Sequence, residues 1–456
     1  MDSGRPVDSG RPLRVIWLSA RAGPGRASWP ARYGRSVSVS APTRGEAPVR
    51  TLIVSLVPLG SAMALIGLAT AFTTPFLSLY LTGTLHADPV HTAIFLFGTP
   101  LSTVVVATLL GRLSDRAPGR RRQLLAWAAA AGCLGYLVFA LVRQYWLLLA
   151  VSMTLVAISG ALMPQIFAYA RQILDASGST RAPMAMTTLR MLLSAAWVAG
   201  PPVAAILLQT VGFGGLFLAT AVGFALVFGV VVFWLRDSSP PTPPAQVTPT
   251  GPMAGRVRSW RPARPGPASL TMVAFVLLQS AAGLGMLALP LLLSVELHGR
   301  VKDAGAVLGL CAALEIPLML LFGALASVWP LRRLVLVGAG FGAGYYVLVA
   351  MAGSVWQVAA AQLLNAAFIS AVTGLGISYF QDLLPGYPGR ATTMFTNCNR
   401  ISAMLTGPIF GVVLHVGYRL AYVLGAVLCV AGLIMLAVLQ RTTGTAENRH
   451  HRVGTG

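Results

Sequence analysis

Long apolar runs decide what this chain can become. Twelve stretches exceed about 18 predominantly apolar residues, and each is long enough to cross the hydrocarbon core of a bilayer as one α-helix. They fall at 52–81, 91–110, 123–141, 145–170, 184–209 and 212–235, then at 270–295, 304–328, 334–352, 355–380, 391–416 and 419–439. With 56% hydrophobic and only 10% charged residues among 456, the chain reads as an all-α membrane protein. The expected architecture is twelve transmembrane helices in two pseudo-symmetric six-helix bundles. A basic N-terminal tail (1–50) precedes a first bundle (51–235), a Pro-rich linker (236–269), a second bundle (270–440) and a C-terminal tail (441–456).

A net charge of +21 would point to nucleic acid in a soluble protein, but here its distribution reads as topology. With both termini cytoplasmic, the outward connections hold only Arg143, Arg300, Lys302 and Arg419. The inward ones hold nearly all other basic residues, including Arg112, Arg116, Arg120, Arg121, Arg122, Arg332 and Arg333. That asymmetry is the positive-inside rule, and it predicts a multi-pass cell-membrane protein with no nucleic-acid partner. Contact of the basic tails with anionic lipid is a side effect of the same charge.

The segment 1–50 has nine arginines and no continuous apolar core, so it is no secretory signal. It reads as disordered, or as an extension from a start codon placed too far upstream. The linker carries nine prolines and is expected to be semi-extended. Cys133, Cys311, Cys398 and Cys429 show neither paired nor metal-ligand spacing and read as buried thiols, with no metal and no cofactor implied. The halves echo one another: Arg190 and Arg400 follow Tyr169 and Tyr379 by the same interval, and Gly200-Pro201 and Gly407-Pro408 follow three residues out of step.

Arg190, Arg400 and the carboxylate of Glu315 lie inside apolar runs. A charge in hydrocarbon costs a few kcal/mol or more, so such residues face a partner or a water-filled cavity and mark a solute pathway. Thr187, Arg190, Ser194 and Trp197 recur at three- and four-residue steps, as do Thr393, Thr396, Asn397 and Arg400, so each set shares one helix face. Arginine offers a planar fork of donors, asparagine both donates and accepts, and Trp197 adds an aromatic face, so both stripes need an aqueous or protein partner. The plainer alternative is that these residues only stitch helices together. Gln165 beside Pro164, Asn365 and, more weakly, Gln279 are further cavity candidates, and each can equally satisfy backbone freed by a kink. Glu315, with Pro317 two residues on, is the expected proton-coupling residue; its alternative is a permanent partner for one arginine.

The connection GRLSDRAPGRRR over 111–122 resembles the signature loop of the major facilitator superfamily, with Gly119 one residue later than the pattern. MPQIFAYARQ (163–172), TTLRMLLSAAWVAGPP (187–202), LEIP (314–317) and YFQDLLPGYPGRATTMFTNCNR (379–400) resemble the sugar efflux transporter family within it. The resemblance implies the major facilitator fold and proton-linked export of neutral sugars or small glycosides by a carrier, here expected to be monomeric. It also implies that Gly111, Asp115 and Arg116 of the loop serve the cytoplasmic gate, with Arg171 as the partner of Asp115. Gly200 and Pro201 resemble a pattern of the superfamily's antiporters. Two alternatives stand beside export: a drug-proton antiporter, and a membrane sensor or embedded enzyme without transport. Against the latter, neither His-Glu-x-x-His nor Gly-x-Ser-x-Gly occurs.

Overall fold

The apolar runs are helical, and no strand occurs among the residues that this computed structural model describes, 49–116, 120–177, 182–235, 267–384 and 387–453. Expectations for 1–48, for most of the linker and for the turn at 117–119 fall outside them, as do the side chains of Asp115 and Arg116. The first half of the chain comprises α1 (Val49–Thr73), α2 (Leu77–Gly83), α3 (Pro89–Arg116), α4 (Arg121–Leu141), α5 (Tyr145–Val151), α6 (Ala157–Ser159), α7 (Leu162–Ser177) and α8 (Ala182–Gly229). The second half comprises α9 (Pro267–Leu291), α10 (Val301–Leu325), α11 (Leu331–Met351), α12 (Val355–Ile369), α13 (Leu375–Leu383), α14 (Pro388–Val416) and α15 (Arg419–Val453). Wider π-helical turns join α5 to α6 (Ser152–Val156) and α12 to α13 (Ser370–Gly374), and extend α8 (Val230–Trp234) and α9 (Leu292–Glu296).

Among the described residues ten helical segments are long and apolar enough to cross a membrane, against the twelve expected, and the difference has two physical causes. The segment Thr188–Trp234 counts once, although Gly212 breaks its path with φ 67 and ψ −169, a conformation that glycine adopts at little cost. Helix α14 falls outside the ten because Arg390, Arg400, Asn397, Asn399 and its threonines make it too polar.

Two faces organise the helix ends. On one, Tyr145 Oη donates to the His91 carbonyl at 2.7 Å, and Arg419 bridges Glu296 at 3.0 Å and the Ala350 carbonyl at 2.9 Å. On the other, Arg121 reaches Gln172 at 2.9 Å. Arg122 donates to the carbonyls of Val231 and Val232 at 3.2 and 2.6 Å, a cation capping a helical C-terminus. We call these the His91 face and the Arg121 face. At the His91 face one turn occurs twice: His86 (φ 49) and His298 (φ 51) each close a helix in the left-handed region, and each next helix begins three residues on. The hydrogen bonds match as well, Leu85 N to Tyr80 O with Ala87 N to Leu81 O, and Leu297 N to Leu292 O with Gly299 N to Leu293 O.

In lipid there is little hydrophobic drive between helices, so close packing of small residues holds them. In the first half α1 crosses α8 where a Cβ on Gly67 would lie 2.8 Å from that of Ala196, and Gly200 packs on Ala71. The two halves of the chain meet through α10 on α8 and α14 on α3. There a Cβ on Gly305 would come within 2.6 Å of the Pro201 carbonyl, one on Gly309 within 3.1 Å of that of Val198, and one on Gly411 within 2.7 Å of the Ala93 Cβ. Ser78 Oγ adds a 2.6 Å bond to the Leu287 carbonyl of α9. These crossings lie toward the His91 face.

Candidate functional site

Behind the crossings lies a cavity of about 350 Å³, walled by α8, α9, α10, α11, α12 and α14. Helical spacing explains which residues reach it. Leu308, Cys311, Ala312 and Glu315 form one face of α10, Trp197 and Pro201 one of α8, and Gln279, Gly283 and Met286 one of α9. Asn365 on α12 donates to Gln362 Oε1 at 2.9 Å and to Cys311 Sγ at 3.4 Å, and Gln362 donates to Tyr345 Oη at 3.3 Å. Ser370 Oγ donates to the backbone carbonyl of Glu315 at 3.2 Å. The amide chain thus ties α12 to α10 and α11, and Glu315 lines the cavity beside it.

A second cavity of about 310 Å³ lies on the first half's side and shares Gly283, Met286, Ala403 and Thr406 with the first. Its walls are mostly aromatic and apolar, with Phe95, Tyr136, Phe139 and Phe217, and its polar groups are hydroxyls such as Thr73 and Thr99. Thr99 Oγ1 and Ser152 Oγ pair at 2.9 Å, and Ser152 belongs to a π-helical turn, as Thr373 of the larger cavity does. Such turns aim side chains away from regular helical register and are frequent at functional sites.

The sequence profile of the Major Facilitator Superfamily matches residues 59–353 and 270–454. A relative from Deinococcus radiodurans is 36% identical over 377 residues, 81% of this chain and 94% of its own. Sugar efflux transporter A of Dickeya chrysanthemi is 35% identical over 372 residues, 80% of this chain and 92% of its own. The chain belongs to the sugar efflux transporter family of the major facilitator superfamily. As a member of that family it is a multi-pass membrane transporter and not an enzyme. The crystal structure of the nucleoside transporter NupG, 15% identical, superposes with a TM-score of 0.66 over 84% of this chain and 98% of that one, which supports the fold.

Within this family member, Trp197, Pro201, Glu315 and Asn365 line the larger cavity. Arg190 is exposed on the face of α8 that carries Trp197, two turns nearer the Arg121 face and within electrostatic reach of Glu315. Arg400 and Asn397 are half-buried on α14 outside either lining. The lining face of α14 is instead Asn399, Ser402, Ala403 and Thr406, rotated about 120° from the Thr393–Arg400 stripe at 3.6 residues per turn. Gln165 on α7 is half-buried, its Oε1 has no partner, and it touches neither cavity. Gly200 serves the α1–α8 crossing, and Gly111 has open space around its Cα. Arg171 is exposed near the end of α7. Sequence reasoning passed over Tyr345 and Thr406, since single hydroxyls in apolar helices carry no periodic signal; the small pair Gly283 and Gly285 was the available clue to where α9 yields space.

Proposed function

We propose that this carrier exports neutral sugars or small glycosides in exchange for protons, by alternating access between two six-helix bundles spanning 51–235 and 270–440. Dividing the long segment at Gly212 and counting α14 brings ten crossings to twelve. The repeated His86 and His298 turns support two related halves. An even number of crossings leaves both termini on one side, and the arginines of the Arg121 face favour the cytoplasm for it. The small-residue crossings then close the outer side, so this conformation faces inward, and rocking one half against the other opens it outward.

The observation that carries the reading is the cavity lined from both halves, with Glu315, Asn365 and Asn399 among its polar groups and Trp197 among its apolar ones, in a chain so similar to named sugar efflux transporters. Trp197 takes a sugar's apolar face, Asn365 its hydroxyls, and Glu315 the proton. Arg190 stands at the cytoplasmic mouth. Gln165, Asn397 and Arg400 enter this reading only through the rearrangement that rocking brings. Asp115, with Gly111 and Arg116, clasps Arg171 when the carrier faces outward, and Gly200 and Pro201 keep α8 close to its neighbours.

One observation favours a drug-proton antiporter as the second reading: the cavity walls include the carboxylate of Glu315 and neither arginine, a field that a cation tolerates. Efflux from proteoliposomes loaded with radiolabelled mono- and disaccharides, with and without an imposed pH gradient, decides between them. Gradient-stimulated sugar release is the expected result. Cationic dye efflux without sugar release would select the second reading.

A further inference from the structure

Very little separates the polar cavity from the aromatic one. Gly283 and Met286 on α9 and Ala403 and Thr406 on α14 line both, and in each pair the residues stand three apart, on one helix face. The two helices touch at this wall, because a Cβ on Gly283 would lie 2.8 Å from Thr406 Oγ1. Three of the four residues offer nothing that can swing. Gly283 and Ala403 have no side-chain rotamers, and Thr406 is buried, β-branched and held by the 2.8 Å bond it donates to the Ser402 carbonyl. Met286 is half-buried, unbranched and rotatable along its whole side chain. It is the part of the shared wall that can move aside.

Each space alone is near the lower end of the range for small-molecule sites, about 300–1,000 Å³, so cargo of two rings needs both. The second space is built to take a ring. Phe95, Phe139 and Phe217 give it aromatic faces, and the half-buried Thr99 and Tyr136 give it hydroxyls, a wall that matches the C–H faces and hydroxyl edges of a sugar. Resting on the sugar-export reading, we propose that Met286 is a specificity-determining residue, a movable partition that stays in place beside a monosaccharide and swings aside to seat the second ring of a disaccharide in the aromatic space. Its side chain sets the size of cargo and leaves the recognition of the first ring to the polar cavity.

The test uses the reconstituted full chain and counterflow of the best-transported sugar of the panel, inhibited in turn by a monosaccharide and by the disaccharide made of two such units. Met286→Ala removes the partition, and Met286→Phe replaces it with a bulkier ring that has fewer rotatable bonds. Relative to the monosaccharide, the disaccharide should compete about tenfold better in Met286→Ala than in Met286→Phe, the scale of overpacking by one side chain, with wild type between them. Inhibition by the monosaccharide should not change. If Met286→Phe is not monodisperse in detergent, Met286→Ala is read against wild type and against the volume-conserving Met286→Leu, which should compete as wild type does. An unchanged or inverted ratio, or an equal change for both sugars such as a packing role for Met286 alone would give, overturns the assignment while sugar export stands. Failure of the wild type to move any sugar overturns the export reading, and this inference with it.

Discussion

In the proton exchange proposed above, Glu315 is the carboxylate that would answer to both proton and cargo. It lines the cavity, Arg190 stands within electrostatic reach on another helix, and Pro317 loosens the backbone beside it. Glu315→Gln mimics the protonated form, so sugar movement driven by a pH gradient should vanish while sugar-for-sugar exchange persists. Loss of both in a folded variant would assign Glu315 to binding or structure instead. Outside the membrane, Asp88 starts α3 by accepting from the His91 backbone N–H and the His91 ring, both at 2.7 Å, and these bonds hold its carboxyl below the usual value. A depressed folded pKa stabilises above the unfolded value, about 3.9, and that stabilisation is lost as pH falls through the lower folded value. Asp88→Ala should therefore lower the melting temperature in detergent at neutral pH, and the gap to wild type should close as the buffer is acidified; a gap independent of pH would count against the cap. The arginines were legible because intramembrane charge avoids lipid, yet that penalty does not say which helix face reaches a cavity. Trp197 was picked out by its three- and four-residue spacing from Thr187, Arg190 and Ser194, whereas Gln279 looked like any lone amide in an apolar helix.

At the scale of elements, glycines decide where helices touch. Gly305 has no room for a side chain against Pro201, while Gly323 on the same helix has nothing within 4 Å. Overpacking such a crossing costs about 1–3 kcal/mol. Gly305→Leu should thus disfavour the conformation closed at the His91 face and slow net efflux, with Gly323→Leu near wild type in rate and melting temperature. Equal rates for the two variants would show that the α8–α10 crossing does not govern the cycle. Most helix positions were legible from apolar length alone. The exceptions have local causes: helical hydrogen bonding carries α8 past Gly212, and α14 trades apolar character for asparagines, threonines and arginines, of which Asn399 and Thr406 line the larger cavity. The π-helical turns at Ser152–Val156 and Ser370–Gly374 had no signature in the sequence.

The whole molecule must part at one face to open the cavity there, and this places a demand that local substitutions do not test. Ser78 on α2 and Leu287 on α9 join the two halves near the His91 face through a 2.6 Å hydrogen bond, so they must separate if the halves rock. In a background with Cys133, Cys311, Cys398 and Cys429 replaced, Ser78→Cys with Leu287→Cys brings two thiols to this junction. A short reducible cross-linker should then arrest efflux and counterflow together, because neither half of the cycle proceeds without outward opening. Cargo binding from the cytoplasmic side should survive, since the tethered state is the one already closed outside, and reductant should restore transport. The single-cysteine variants treated alike control for modification itself. Cross-linked carrier that still moved cargo at the untethered rate would rule out opening between α2 and α9, and with it the rocking of these halves as the transport step.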